Sequence, residues 1–202
     1  AGSGMLIATL MEIENGGTGG QWMRSQFEIK FADVTQLGIK AEVFEEWQGT
    51  MAVDDISFNN KPCTADPEVN GTLFCDFEES DMCGFHSHES HDTTSWTWSS
   101  SGKPPFDNTL HTGQGHKMSI DPNQVGPSKI ARLVSPYIAP LDDFFCASFW
   151  FWLDSHDTAN ITGFYFQDGE YSVDLLSRSG NHGYLWNGAS LSGELKSNKL
   201  FQ

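Results

Sequence analysis

Positive charge is scarce in this chain: 11 lysines and arginines stand against 27 aspartates and glutamates, a formal net charge of −16 over 202 residues. Nucleic-acid binding draws on a cationic stripe that neutralises phosphates, so that class of partner is excluded. Long apolar runs are missing as well. No stretch approaches the roughly 20 consecutive apolar residues of a membrane-spanning helix. The segment "GSGMLIATLMEI" has neither the basic leader nor the cleavage pattern of a signal peptide, and the sequence reads as mature or excised. The four cysteines contain no C-x-x-C pair, which removes the usual zinc and thioredoxin patterns. G-x-S-x-G, a Walker loop and H-E-x-x-H are absent, and no Ser-His-Asp set stands out among many serines and seven histidines. A protein that is not an enzyme is the expectation.

Aromatic residues are plentiful, at 13% within 38% hydrophobic content, enough for one substantial core or parts of two. An acidic surface of this kind keeps a protein soluble, and it also suits divalent-cation binding. Cys63, Cys75, Cys83 and Cys146 make an even count, which favours disulfides. The sequons "NGT" at Asn70 and "NIT" at Asn160 would accept glycans in a secretory pathway. Each triplet alone is common by chance, but with paired cysteines the two point to an extracellular setting.

Short strand-like runs separated by turn clusters dominate. "MLIATLMEI" is short for an uncapped helix and reads as a strand; with the glycine-rich "ENGGTGGQ" and the alternating "WMRSQFEIKFA" it gives a hairpin signal. "IKAEVFEEW" and "MAVDDISF" continue the pattern, with a turn at "QG". After Cys63 the composition shifts to "TADPEVNGT", without apolar periodicity, so residues 64–74 read as a linker between 1–63 and 75–202. Beyond it "TLFCDFE", "SWTWSS", "KMSID", "KIARLVSPYI", "FFCASFWFWL", "TGFYFQDG", "YSVDLLSRS" and "GYLWNG" alternate with polar loops, the pattern of an all-β antiparallel sandwich. No amphipathic helix of useful length occurs.

Two carboxylates interrupt one of these runs. In "MAVDDISF", Asp54 and Asp55 are neighbours, and in an extended strand neighbours face opposite ways, so at least one is driven towards a core. A buried carboxylate needs a hydrogen-bonding partner or a cation. Elsewhere "HSHES" with His91 groups His86, His88, Glu89 and Asp92, which reads as a solvated loop. In "FWFWL", Phe149 and Phe151 share one face and Trp150 and Trp152 the other; the reading is core on one side and surface aromatics on the other.

"CDFEESDMCGF", "SWTW", the proline-rich loop with "DNT", "GHKMSID", "ARLVSPYI" and "FCASFWFWL" follow in order the opening two-thirds of a MAM domain, the module shared by meprins, neuropilins and receptor tyrosine phosphatases. "QWMRSQFEIKF", "IKAEVFEEW" and "GTMAVDDISF…C" resemble its closing third. The closing third thus precedes the opening two-thirds. Either the chain is a window on a tandem array, or its two pieces complete one another as a permuted or strand-exchanged sandwich.

The resemblance implies an antiparallel jelly-roll β-sandwich. It implies a cation, calcium, at Glu78, Asp107, Asp54 and Asp55, hard oxygen donors that suit that ion; backbone hydrogen bonds to the same carboxylates are the alternative. It also implies a Cys75–Cys83 disulfide and, if the two pieces complete one another, a Cys63–Cys146 disulfide. The expected role is an extracellular adhesion or assembly module, contacting other extracellular proteins or copies of itself as a homo-oligomer or filament. The rival roles are a carbohydrate-binding jelly roll stacking sugars on Trp150, Trp152 or Trp186, and the non-catalytic region of a secreted metalloprotease.

Overall fold

The computed structural model describes residues 6–12, 21–29, 36–43, 49–60, 63, 73–88, 94–120, 129–138, 145–154, 159–167, 170–179 and 189–195. Thirteen strands carry the described fold: β1 (Leu6–Glu12), β2 (Met23–Ile29), β3 (Gln36–Val43), β4 (Thr50–Asn59), β5 (Leu73–Cys75), β6 (His86–Ser87), β7 (Thr97–Ser99), β8 (Lys117–Ile120), β9 (Lys129–Val134), β10 (Phe145–Asp154), β11 (Ala159–Gln167), β12 (Glu170–Ser179) and β13 (Ala189–Leu195). A 3-10 turn at Met82–Gly84 sits between β5 and β6. Among the described residues no helix is long and apolar enough to cross a membrane.

Alternation in the sequence becomes two packed antiparallel sheets. One has the order β2-β10-β4-β8-β7, with β5 also paired to β4; the other runs β12-β11-β3-β9-β6. Each sheet turns one row of side chains inward, as a two-residue period requires. Phe149, Phe151 and Leu153 of β10 meet Leu37, Ile39 and Ala41 of β3 and Ala131 and Leu133 of β9 in one core. Burying a side chain of this size is worth about 1.5–3 kcal/mol, so this layer supplies the main stabilising term.

The first segment is woven into the second. β4 lies between β10 on one side and β8 and β5 on the other, and β3 lies between β11 and β9. A buried serine fastens β3 to the chain after β9: Ser135 Oγ accepts from Leu37 N at 3.0 Å, and Ser135 N donates to Leu37 O at 2.7 Å. On the other sheet Ser57 and Ser148 share a 2.7 Å hydroxyl hydrogen bond. Cys63 is bonded to Cys146 and Cys75 to Cys83, with Cα separations of 5.0 and 5.8 Å. Both expected bridges form, within one chain.

Two local expectations give way to tertiary pairing. β1 pairs with β13, and β2 with β10, so the ladder expected across "ENGGTGGQ" is replaced by two longer-range ones. β3 and β4 lie in different sheets, so they do not form the hairpin expected across "QG". Strand identity was set by local alternation, but the choice of partner was set by which apolar faces had to meet.

Candidate functional site

The two adjacent carboxylates of β4 stand where the regular ladder breaks. Ser57 pairs with Ser148 and Asp54 with Trp150, so two residues of β4, Asp55 and Ile56, oppose the single Phe149 of β10. This is a β-bulge, and Asp55 has the left-handed φ of 47° that such an extra residue adopts. The other edge of β4 is interrupted at the same place. β8 pairs with Met51, Ala52 and Val53, β5 pairs with Ile56, Ser57 and Phe58, and the interval between them falls at Asp54 and Asp55.

A loop from the second segment fills that interval. Asn108 N donates to Asp54 Oδ2 at 2.7 Å, and Asp55 N donates to Asp54 Oδ1 at 2.9 Å. Asp55 accepts from Asn108 Nδ2 at 2.6 Å and from Thr109 Oγ1 at 2.7 Å. The bulge therefore lets both carboxylates bind the same loop, where strict alternation would have sent them to opposite faces. Asp107 closes the loop on itself by accepting from Leu110 N and, at 3.0 Å, from Thr112 N. Gly115 makes room for it: a Cβ there would stand 2.2 Å from Asp107 Cγ.

Glu78 joins the edge of this region. Its Oε1 accepts from His116 N at 2.9 Å, and its Oε2 stands 3.7 Å from His116 Nδ1. His116 stacks flat on Trp98, with ring centroids 4.1 Å apart, and Trp98 Nε1 donates to Phe77 O at 2.7 Å. Lys117 is fully buried and reaches Ser101 O with its Nζ at 3.5 Å.

Electrostatics here are dominated by desolvation. Burial, then the neighbouring Asp55 charge, pushes the Asp54 carboxyl up to about 8; the N–H groups of Asn108 and Asp55 pull the other way, and Asp107 adds to the rise. Asp55 is raised by burial, with Asp76 and Asp107 adding to the rise and the Asn108 and Thr109 side chains opposing it. Burial lowers the Lys117 ammonium, while the fields of Asp54 and Asp107 raise it. Negative charge is thus crowded at Asp54, with one buried cation in its field.

The charge of this cluster suits a hard cation, because such an ion would relieve the repulsion around Asp54. The donor arrangement is less favourable: among the described residues no three His, Cys, Asp or Glu side chains gather around one point as a ligand set. Carboxylate oxygens already engaged by Asn108 and Thr109 would have to share their second lone pairs with the ion.

Asp54, Asp55 and Asp107 are brought together, and Glu78 lies against His116, next to the Gly115 that packs on Asp107. Sequence reasoning passed over Asn108, Thr109, Asp76, Lys117 and Gly115. The signal for the first two was present in "DNT", since Asn and Thr beside an Asp are the residues that hold loops by side-chain hydrogen bonds. His86 pairs on the sheet edge with Val134 and is exposed. Glu89, His91 and Asp92 lie outside the described residues, as do Asn70 and Trp186. Asn160 stands on β11 opposite Glu42 of β3 and Ser179 of β12.

The tryptophan face differs from expectation. Trp152 is 5% exposed, covered by Trp22 and Phe106 in edge contacts at 6.1 and 5.8 Å, with Trp150 packed against the same cluster. A sugar cannot stack on a ring so covered, so Trp152 offers no platform. Trp22 is fixed there by its Nε1, which donates to Phe106 O at 3.2 Å.

The family model for the MAM domain, meprin/A5/mu, matches residues 75–202. That match spans β6 to β13, the Cys75–Cys83 bridge, and the loop that binds Asp54 and Asp55. MAM domains are in general extracellular modules of the adhesion type without a catalytic role. With its two-sheet antiparallel sandwich, its bridged cysteines and this match over more than half its length, the chain belongs to the MAM domain family.

Proposed function

We propose that this chain is an extracellular, non-catalytic adhesion or assembly module that works by protein–protein contact. The observation that carries the reading is the inward use of its acidic groups. Asp54 and Asp107 are fully buried and spend their oxygens on holding a loop, an architectural use of side chains that could otherwise do acid–base chemistry. The loop so held presents Leu110, which is 52% exposed, and the chain after β9 presents Tyr137 at 69%. Exposed apolar and aromatic side chains on a rigid support suit a contact surface.

The test uses beads coated with the intact chain, scored for aggregation with one another and for saturable binding to cells. Binding that is competed by soluble chain and survives enzymatic removal of cell-surface glycans supports the reading. Binding that vanishes with the glycans supports the carbohydrate alternative instead.

Calcium is proposed as the ligand of Glu78, Asp107, Asp54 and Asp55. Its support is the approach of Asp54, Asp55 and Asp107 to one loop, where burial first and the Asp55 charge second push the Asp54 carboxyl up to about 8. An ion that binds only the folded state adds about 2.7 kcal/mol at a hundredfold excess over its dissociation constant. Melting of metal-free protein should therefore rise by several degrees with millimolar calcium; superimposable curves would leave the hydrogen-bonded cluster as the whole account.

A further inference from the structure

Every described ladder that involves β1, β2, β3 or β4 runs to a strand beyond residue 72. β1 pairs with β13, β2 with β10, β3 with β9 and β11, and β4 with β5, β8 and β10. Among the described residues none of these ladders joins two of the first four strands to each other. Without that segment, β10 would have no partner in its sheet, cut off from β8 and β7, and β11 with β12 would be cut off from β9 with β6. The second segment is therefore an acceptor with a slot through the middle of each sheet, and the first is the donor that fills both.

We propose that the donor of one copy fills the slots of a second copy, giving a strand-exchanged dimer closed by two Cys63–Cys146 bonds. The proposal names a partner for the assembly reading above and rests on it. Its occupant follows from complementarity: the only surface shown to fit both slots is the donor segment itself, down to the Ser135–Leu37 clasp, the Ser57–Ser148 pair and the contacts of Asn108 and Thr109 with Asp54 and Asp55. Exchange between copies keeps all of these bonds, and so costs no enthalpy at the interface. The balance is set by concentration. Being part of the same chain holds the chain's own donor at an effective concentration on the order of millimolar, so a neighbour competes where copies fold or stand close together. Thiol–disulfide exchange with an oxidised small-molecule disulfide, which takes up the two electrons and two protons per bond and leaves as two thiols, joins Cys63 to Cys146 across copies and fixes the exchanged state covalently. With a net charge of −16 on each copy, encounter is resisted at low ionic strength, and exchange should increase with salt.

Isotopically heavy and light full-length chains, unfolded and reduced together, are refolded under oxidation at several protein and salt concentrations, and the bridging peptides are mapped without reduction. Exchange predicts a species at twice the 22.4 kDa chain mass in which about half of the Cys63–Cys146 peptides join one heavy and one light partner, increasing with protein and salt. A second experiment co-refolds Cys63→Ser with Cys146→Ser chains, each of which lacks one half of the bridge, so that only a bond between copies is possible. A disulfide-linked heterodimer carrying Cys146 of the first and Cys63 of the second is expected. Bridges of uniform isotope at every concentration, or two folded monomers with free thiols, would overturn the exchange. Bead aggregation persisting alongside either result would leave the adhesion reading standing without it.

Discussion

Asp54 concentrates the residue-scale energetics. Its carboxyl is pushed up to about 8 in the folded state against an ordinary value of 3.8, so the folded protein binds more protons than the unfolded chain between those limits. A group displaced upward stabilises fully below its unfolded pKa and loses that contribution as pH rises through the folded one. Metal-free protein should accordingly lose stability between about pH 4 and about pH 8, and Asp54→Asn should flatten that slope in chemical denaturation. If wild type and Asp54→Asn show the same slope, the burial of the Asp54 carboxyl beside Asp55 is not what the fold feels. Gly115 gives an independent check on the same loop. A methyl group at Gly115 would sit 2.2 Å from Asp107 Cγ, so Gly115→Ala should cost about 1–3 kcal/mol through overpacking. Gly113→Ala, whose nearest contact is Pro105 O at 3.2 Å, should cost less, and urea midpoints of the two variants measure the difference.

At the scale of elements, the disulfide between donor and acceptor should matter more than the one inside the acceptor. Cys63–Cys146 closes a loop with a sequence separation of 83, and Cys75–Cys83 one of 8, which corresponds to about 4.5 and about 2.5 kcal/mol of constrained unfolded-state entropy. Paired serine replacements at 63 and 146 should therefore lower the denaturation midpoint more than those at 75 and 83. Much of the element pattern was legible in the residues. "FCASFWFWL" alternates as β10 does, and the sandwich class followed from it. Even the bulge left a trace: Met51 and Val53 are core residues at odd positions, Ile56 and Phe58 at even ones, so the inward parity changes across Asp54 and Asp55. What alternation could not supply was partner choice. It does not say that β1 joins β13, nor that β3 and β4 divide between two sheets, because those decisions depend on apolar faces far apart in sequence. Lys117 was passed over for a related reason. A lone lysine in "GHKMSID" reads as a surface residue until the fold encloses it.

For the whole molecule, the first piece places β3 and β4 inside the two sheets and β2 at an edge, with strands of the second piece on both sides of β3 and β4. The pairing of β1 with β13 has a mechanical consequence. Leu6 faces Leu195 and Glu12 faces Ala189, so tension entering before Leu6 and leaving after Leu195 acts at one end of the ladder and peels its bonds one at a time. Antiparallel strands loaded this way yield at low force, whereas β5 to β9, which lie between Cys63 and Cys146, are shielded behind that bond. In single-molecule stretching, the first event should be the parting of this strand pair. Reduction should then add roughly 280 Å of extensible contour, the length released when the residues between Cys63 and Cys146 enter the load path. The same chain would thus be a short, stiff tether in an oxidising setting and a long, compliant one after reduction.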